Sequence, residues 1–151
     1  MHYSNILVPV KGILADDAAI RLACQIAKQD KGRVTAINVI EIQRNLALST
    51  ENAAQMQRAE TMLERAEQVA HSVRGTLETE LLQARAAGVA LVDEAIERRV
   101  DLIILGIPYR NPLGDFQLGT TTQYILKNAR CPVWLCREAV PPETAVAQKL
   151  K

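Results

Sequence analysis

The stretch Ile104–Leu126, "ILGIPYRNPLGDFQLGTTTQYIL", passes from an apolar run, through a segment holding three glycines and two prolines, into an amphipathic run. Its upstream neighbour Asp101–Gly106, "DLIILG", is the most apolar short run of the chain and reads as a central strand. Thr120–Asn128 has the spacing of a helix. A strand that leaves through a loop into a helix is half of a βαβ unit, so the fold depends on whether this alternation repeats.

It does. Asn5–Val10, "NILVPV", is a β-branched run ended by Lys11-Gly12, which suits a strand buried on both faces. A first helix follows, with Asp16 or Asp17 as its cap, Ala19, Ile20, Ala23, Cys24 and Ala27 on one face, and Gly32 closing it. Arg33–Ile40, "RVTAINVI", gives a second strand, and Gln43–Leu48 an irregular section. Ser49 or Thr50 is placed to cap a long helix reaching Arg74, with Ala53, Met56, Ala59, Met62 or Leu63, Ala66, Val69 and Ala70 along one stripe. That stripe is too alanine-rich and short for a coiled coil and is expected to pack on a sheet. Thr76–Gln83 alternates as a third strand, with Glu78 and Glu80 implying partial exposure. Val89–Arg99 forms a helix after Gly88, and Cys131–Arg137, "CPVWLCR", is a last strand entered through Pro132. The order βαβαβαβαβ predicts a three-layer, doubly wound α/β fold with a five-stranded parallel sheet, its ligand crevice at the C-terminal strand ends where the chain switches direction.

Composition limits the alternatives. A chain of 151 residues suits one domain, expected over residues 1–140 with a flexible tail at 141–151. Hydrophobic residues at 48% and charged residues at 23% are ordinary for soluble chains, and no apolar run nears the roughly 18 residues of a membrane span. "MHYSNILVPVKG" lacks the pattern of a secretion signal, so a cytoplasmic location is expected. A net charge of +1, without a basic block interleaved with aromatics, argues against nucleic acid as a partner. Cys24, Cys131 and Cys136 form no CxxC and read as reduced packing residues. His2 and His71 read as surface residues, and no zinc set or Cys/His nucleophile pair can be assembled from them.

The loop before Thr120 has the position of an anion site, because free N–H groups and the dipole at a helix start attract negative charge. Gly114–Gly119 even has GxxxxG spacing, but Thr120 stands where a P-loop needs Lys. The first strand is followed by Gly12 alone and not by GxGxxG, which excludes the usual dinucleotide fingerprint.

Four stretches together, "NILVPVKG", "VTAINVIE", "VDLIILG" and "LGTTTQYILKNARCPVWLCR", resemble the universal stress protein domain over Tyr3–Arg137. The resemblance implies an adenine nucleotide alpha hydrolase-like fold. Nucleotide-holding members carry G-x2-G-x9-G-[S/T], and here Gly106, Tyr109, Gly119 and Thr120 fall on that spacing. By resemblance the nucleotide site comprises Pro9, Val10 and Lys11, Val39, Leu105 and Gly106, and Gly119, Thr120, Thr121 and Thr122. ATP, with Mg²⁺ if bound, is the implied cofactor. The chain departs from the pattern at Lys11, where the family usually has Asp, and at Tyr109 beside Pro108. Lys11 and Arg110 would add positive charge near the strand ends, which favours a phosphorylated ligand. Tight turns account equally well for Gly106 and Gly119, and helix capping for Thr120 and Thr122. Tyr109 and Phe116 pack the loop or stack on a base.

Two functions follow from these residues: a stress-response regulatory protein that binds ATP or another adenine nucleotide, with an unknown regulatory protein partner, and a nucleotide-free dimerisation or scaffold module of the same fold. No nucleophile, base and orienting group converge, so slow ATP hydrolysis is the most that an enzymatic reading supports. The resemblance also implies a homodimer through the last strand, Val133, Trp134, Leu135, Cys136 and Arg137, with Trp134 open to either a core or an interface role.

Overall fold

The computed structural model describes residues 2–109, 114 and 116–142. Arg110 and the tail beyond residue 142 lie outside the described residues. The elements are β1 (Asn5–Pro9), α1 (Ala15–Gln29), β2 (Arg33–Glu41), α2 (Ala53–Ser72), β3 (Glu78–Ala84), α3 (Ala87–Glu97), β4 (Leu102–Ile107), α4 (Thr120–Asn128) and β5 (Val133–Arg137). They build one parallel sheet in the order β3-β2-β1-β4-β5. The expected α/β architecture is therefore present, and the chain reverses its winding direction between β1 and β4.

Each face of the sheet is covered by two helices. Ile6, Val8, Val34, Leu102 and Ile104 point to the α1/α2 face and meet Ala23, Cys24, Ala66 and Val69. Leu7, Ile37, Ile103 and Leu105 point to the other face and meet Leu91, Val92 and Ile125. Neighbouring residues of β1 and β4 thus enter opposite cores. This is why both strands read as unbroken apolar runs rather than as alternating ones. The stripe on α2 settles on Leu63, which is buried, while Met62 stays half-buried and Ala53 is exposed. Among the described residues no helix is long and apolar enough to cross a membrane.

Several helix ends differ from the sequence reading. Asn52, and not Ser49 or Thr50, caps α2 by accepting from the Gln55 amide at 3.1 Å. Neither Asp16 nor Asp17 caps α1: Leu14 is at the N-cap, and both acids lie in the first turn with other partners. Helix α3 starts two residues early and takes in Gly88, where a Cβ would lie 2.9 Å from the side chain of Tyr124 on α4. Gly32 does close α1, its amide reaching Ala27 O at 2.8 Å, but Lys31 supplies the left-handed turn with φ 52°. Glycine is required at Gly32 because a Cβ would meet the Ser4 backbone at 2.6 Å. Burial pushes the Cys24 and Cys131 thiols up, which suppresses their thiolate forms. All three cysteines are free.

Gly106 shows how tightly α1 sits on the sheet. A Cβ there would lie 2.4 Å from the Ala15 carbonyl oxygen and 2.6 Å from its carbon, atoms that a rotamer change cannot move aside. Gly106→Ala should therefore lower the unfolding free energy by about 1–3 kcal/mol, read from the urea midpoint. An unchanged midpoint would mean that α1 shifts at no cost.

Candidate functional site

Lys11–Leu14 joins β1 to α1, and its conformation is set from within. The Asp16 Oδ2 atom accepts from the backbone amides of Lys11 (3.0 Å), Gly12 (2.7 Å) and Ile13 (3.1 Å). Gly12 adopts φ 83°, a conformation that glycine reaches at little cost. Burial pushes the Asp16 carboxyl up from the usual carboxylate range, opposed by these three amides and by the charge of Lys11. Its neighbour Asp17 pairs with Arg65 on α2 at 2.8 Å.

The turn aims Lys11 across the C-terminal edge of the sheet, and its Nζ donates to Thr122 Oγ1 at 3.1 Å. Thr122 is buried in the first turn of α4. The ammonium is accordingly held beside a helix N-terminus. Both are positive, and burial pushes the Lys11 pKa down, partly offset by Asp16. Among the described residues no side chain caps α4, and the Gln123 amide makes its bond to Gly119 O at 3.0 Å. At Gly119 a Cβ would have open space around it, so packing places no demand for glycine there.

Beside this positive corner is a cavity of about 420 Å³. Pro9, Val10 and Lys11 form one side, Ile37–Glu41 the floor, Gln55, Arg58, Ala59 and Met62 of α2 the opposite side, and Ala87, Leu91 and Thr121 the remainder. Asn38 ties the floor to the rim, donating from Nδ2 to Val10 O at 2.8 Å, while the Val10 amide reaches Ile37 O at 2.9 Å. The volume is within the range typical of small-molecule sites.

Of the residues singled out in the sequence, Pro9, Val10, Lys11, Val39 and Thr121 line this cavity. Thr122 joins it through Lys11. Thr120 borders a smaller depression of about 160 Å³ with Thr121, Glu41 and Tyr124, and Gly119 is exposed just before it. The Leu105 side chain is fully buried in the α3/α4 core, and Gly106 faces Ala15. Sequence reasoning missed Asn38, Glu41, Gln55, Arg58 and Met62. Asn38 was detectable as a polar residue inside the apolar "VTAINVIE", whereas nothing separates Arg58 from the other charges of α2.

A match to the model of the universal stress protein family spans residues 2–137. The chain belongs to the universal stress protein family. It is 25% identical over 142 residues to a universal stress protein of Methanocaldococcus jannaschii, covering 90% of this chain and 83% of that one. Among solved structures, a universal stress protein from Archaeoglobus fulgidus superposes with a TM-score of 0.76 at 21% identity, covering 88% of this chain and 98% of that one. The A. fulgidus protein in complex with dAMP gives 0.72 at 19% identity, covering 89% and 98%. A family member from Arabidopsis thaliana with AMP bound gives 0.62 at 15%, covering 93% and 97%. These structural likenesses establish a shared fold.

The charge state of Asp16 can be tested directly. A carboxyl whose folded pKa lies above its unfolded one destabilises the fold when ionised, and that cost fades as pH falls through the folded value. Wild type should therefore gain stability relative to Asp16→Asn as pH drops from about 7 toward the usual carboxylate range, measured by urea unfolding. A gap that is constant with pH would contradict the burial argument.

Proposed function

We propose that this universal stress protein is a regulatory protein that binds an adenine nucleotide, ATP among the candidates, in the cavity above β1 and β2, with its phosphates at the start of α4. The observation that carries this reading is the Lys11 ammonium held on Thr122 beside a helix N-terminus that no side chain among the described residues caps, at the edge of a 420 Å³ cavity. Two positive features converge where an anion would lie, offset in part by the charge of Asp16 on Lys11. Val10, Val39 and Leu91 supply apolar surface for a base, and Asn38, Glu41 and Gln55 supply polar groups for a nucleoside. The dAMP and AMP held by the A. fulgidus and A. thaliana proteins support the same ligand class. Among the described residues no cluster of His, Cys, Asp or Glu could hold a metal, and Glu41 is the lone carboxylate among the lining residues. Mg²⁺ would therefore have to arrive with the phosphates.

Calorimetry with AMP, ATP and adenosine tests this reading. AMP should bind more tightly than adenosine, and Lys11→Met should weaken AMP by at least about tenfold while leaving adenosine unchanged, as expected for loss of one charged hydrogen bond. Because the Lys11 pKa is lowered, AMP affinity should also fall at an alkaline pH where an ordinary lysine is still charged. Absence of heat with all three ligands would leave the nucleotide-free scaffold as the surviving function.

The regulatory output would act through a homodimer in which β5 edges pair across a two-fold axis. Trp134 packs inward, edge-on to Tyr3 with ring centroids 5.3 Å apart, and Leu135 remains exposed on the last strand. An apolar edge strand of this kind needs covering. Light scattering should give twice the chain mass, and Leu135→Glu should halve it; a wild-type monomer at micromolar concentration rejects the dimer.

A further inference from the structure

Glu41 is the last residue of β2, paired in register with Ala84 of β3, and the Ile42 amide that follows donates to Ala84 O at 2.8 Å. Its backbone is thus fixed by the sheet. Along β2 the side chains alternate. Asn38 reaches Val10 and Met62, and Ile40 packs with Ala59 of α2, whereas Ile37 and Val39 join the α3/α4 core. Glu41 has the parity of Ile37 and Val39, which turns it to the side where α3 and α4 begin.

The cavities at this edge of the sheet agree with that placement. Glu41 borders the 420 Å³ cavity together with Val10, Lys11, Val39 and Leu91, and the 160 Å³ depression together with Thr120, Thr121 and Tyr124. Of the three residues common to both linings, Glu41, Ala87 and Thr121, it alone is charged. The side chain therefore stands between the apolar surface offered to a base and the start of α4 offered to phosphates. In a nucleotide the group between those two is the ribose. Glu41 is exposed, and among the described residues its carboxylate makes no hydrogen bond or ion pair; of the two cations on the same lining, Lys11 is held on Thr122 and Arg58 has no acidic partner.

A carboxylate carries no donor and repels phosphate, but it can accept from two neighbouring hydroxyls at once. An acid at the end of the second strand is also where dinucleotide-binding doubly wound folds hold a ribose hydroxyl. We propose that Glu41 reads the sugar, accepting from the 2′ and 3′ hydroxyls, so that the site selects ribonucleotides with a free cis-diol over deoxynucleotides. This inference rests on the nucleotide reading of the cavity and adds the sugar class to it. A ligand lacking either hydroxyl gives the carboxylate one donor fewer, and a site built to bond a hydroxyl discriminates strongly against the analogue without it.

Calorimetry on the full-length protein with AMP, 2′-deoxy-AMP and 3′-deoxy-AMP tests the assignment. AMP should bind at least about tenfold more tightly than either deoxy ligand, as expected when one charged hydrogen bond goes unmade. Glu41→Ala, a change at an exposed side chain, should cut that preference to less than about threefold by weakening AMP more than the deoxy ligands. Equal affinity of the wild type for all three overturns the assignment and leaves the nucleotide reading standing. So does a Glu41→Ala variant that weakens all three by one common factor, because the carboxylate would then act on a part of the ligand that they share. Absence of heat with every one of them removes the nucleotide reading itself, and the sugar assignment with it.

Discussion

One carboxylate oxygen organises the working edge of this molecule. By gathering three consecutive amides, Asp16 Oδ2 converts the exit from β1 into a fixed turn. The same turn sends α1 across the sheet close enough that Gly106 can carry no side chain, and it points Lys11 at Thr122. The arrangement is held together by hydrogen bonds to a charge that burial disfavours, so the turn is kept at some cost. Such a cost is tolerated where geometry matters more than stability.

That geometry fixes where Lys11 places its charge after β1. Lys11 is one of the residues that line the cavity. Its ammonium is bonded to Thr122 at the start of α4, so that its charge adds to the helix dipole. Other polar groups, Asn38 and Glu41 on β2 and Gln55 on α2, line the same cavity.

The architecture was legible in the sequence because parallel strands buried on both faces leave continuous apolar runs, and "NILVPV" and "DLIILG" are such runs. Helix ends were less legible. Asn52 won over Ser49 and Thr50 by a few residues of register, and Asp16, which reads as a cap, serves a loop on the other side of the helix start. The site was legible only in part. Residues next to a strand end, such as Lys11 and Val39, follow from topology, whereas Arg58 and Met62 reach the cavity from a helix whose lateral placement no local pattern encodes. Gly106 was readable as a position needing glycine, but the helix backbone that imposes it, at Ala15, is far away in sequence and no local pattern encodes the contact.

The winding reversal between β1 and β4 has a consequence for how the protein is made. Strand β1 gains its second neighbour only when Ile6 meets Leu102, and Asp101 closes that junction by accepting from the Asn5 amide across a separation of 96 residues. A ribosome releases the first half of the chain well before the second, so the nascent β1-α1-β2-α2-β3 unit carries a bare hydrogen-bonding edge along its most apolar strand. Chaperone demand should therefore be greatest late in translation and end abruptly once β4 emerges.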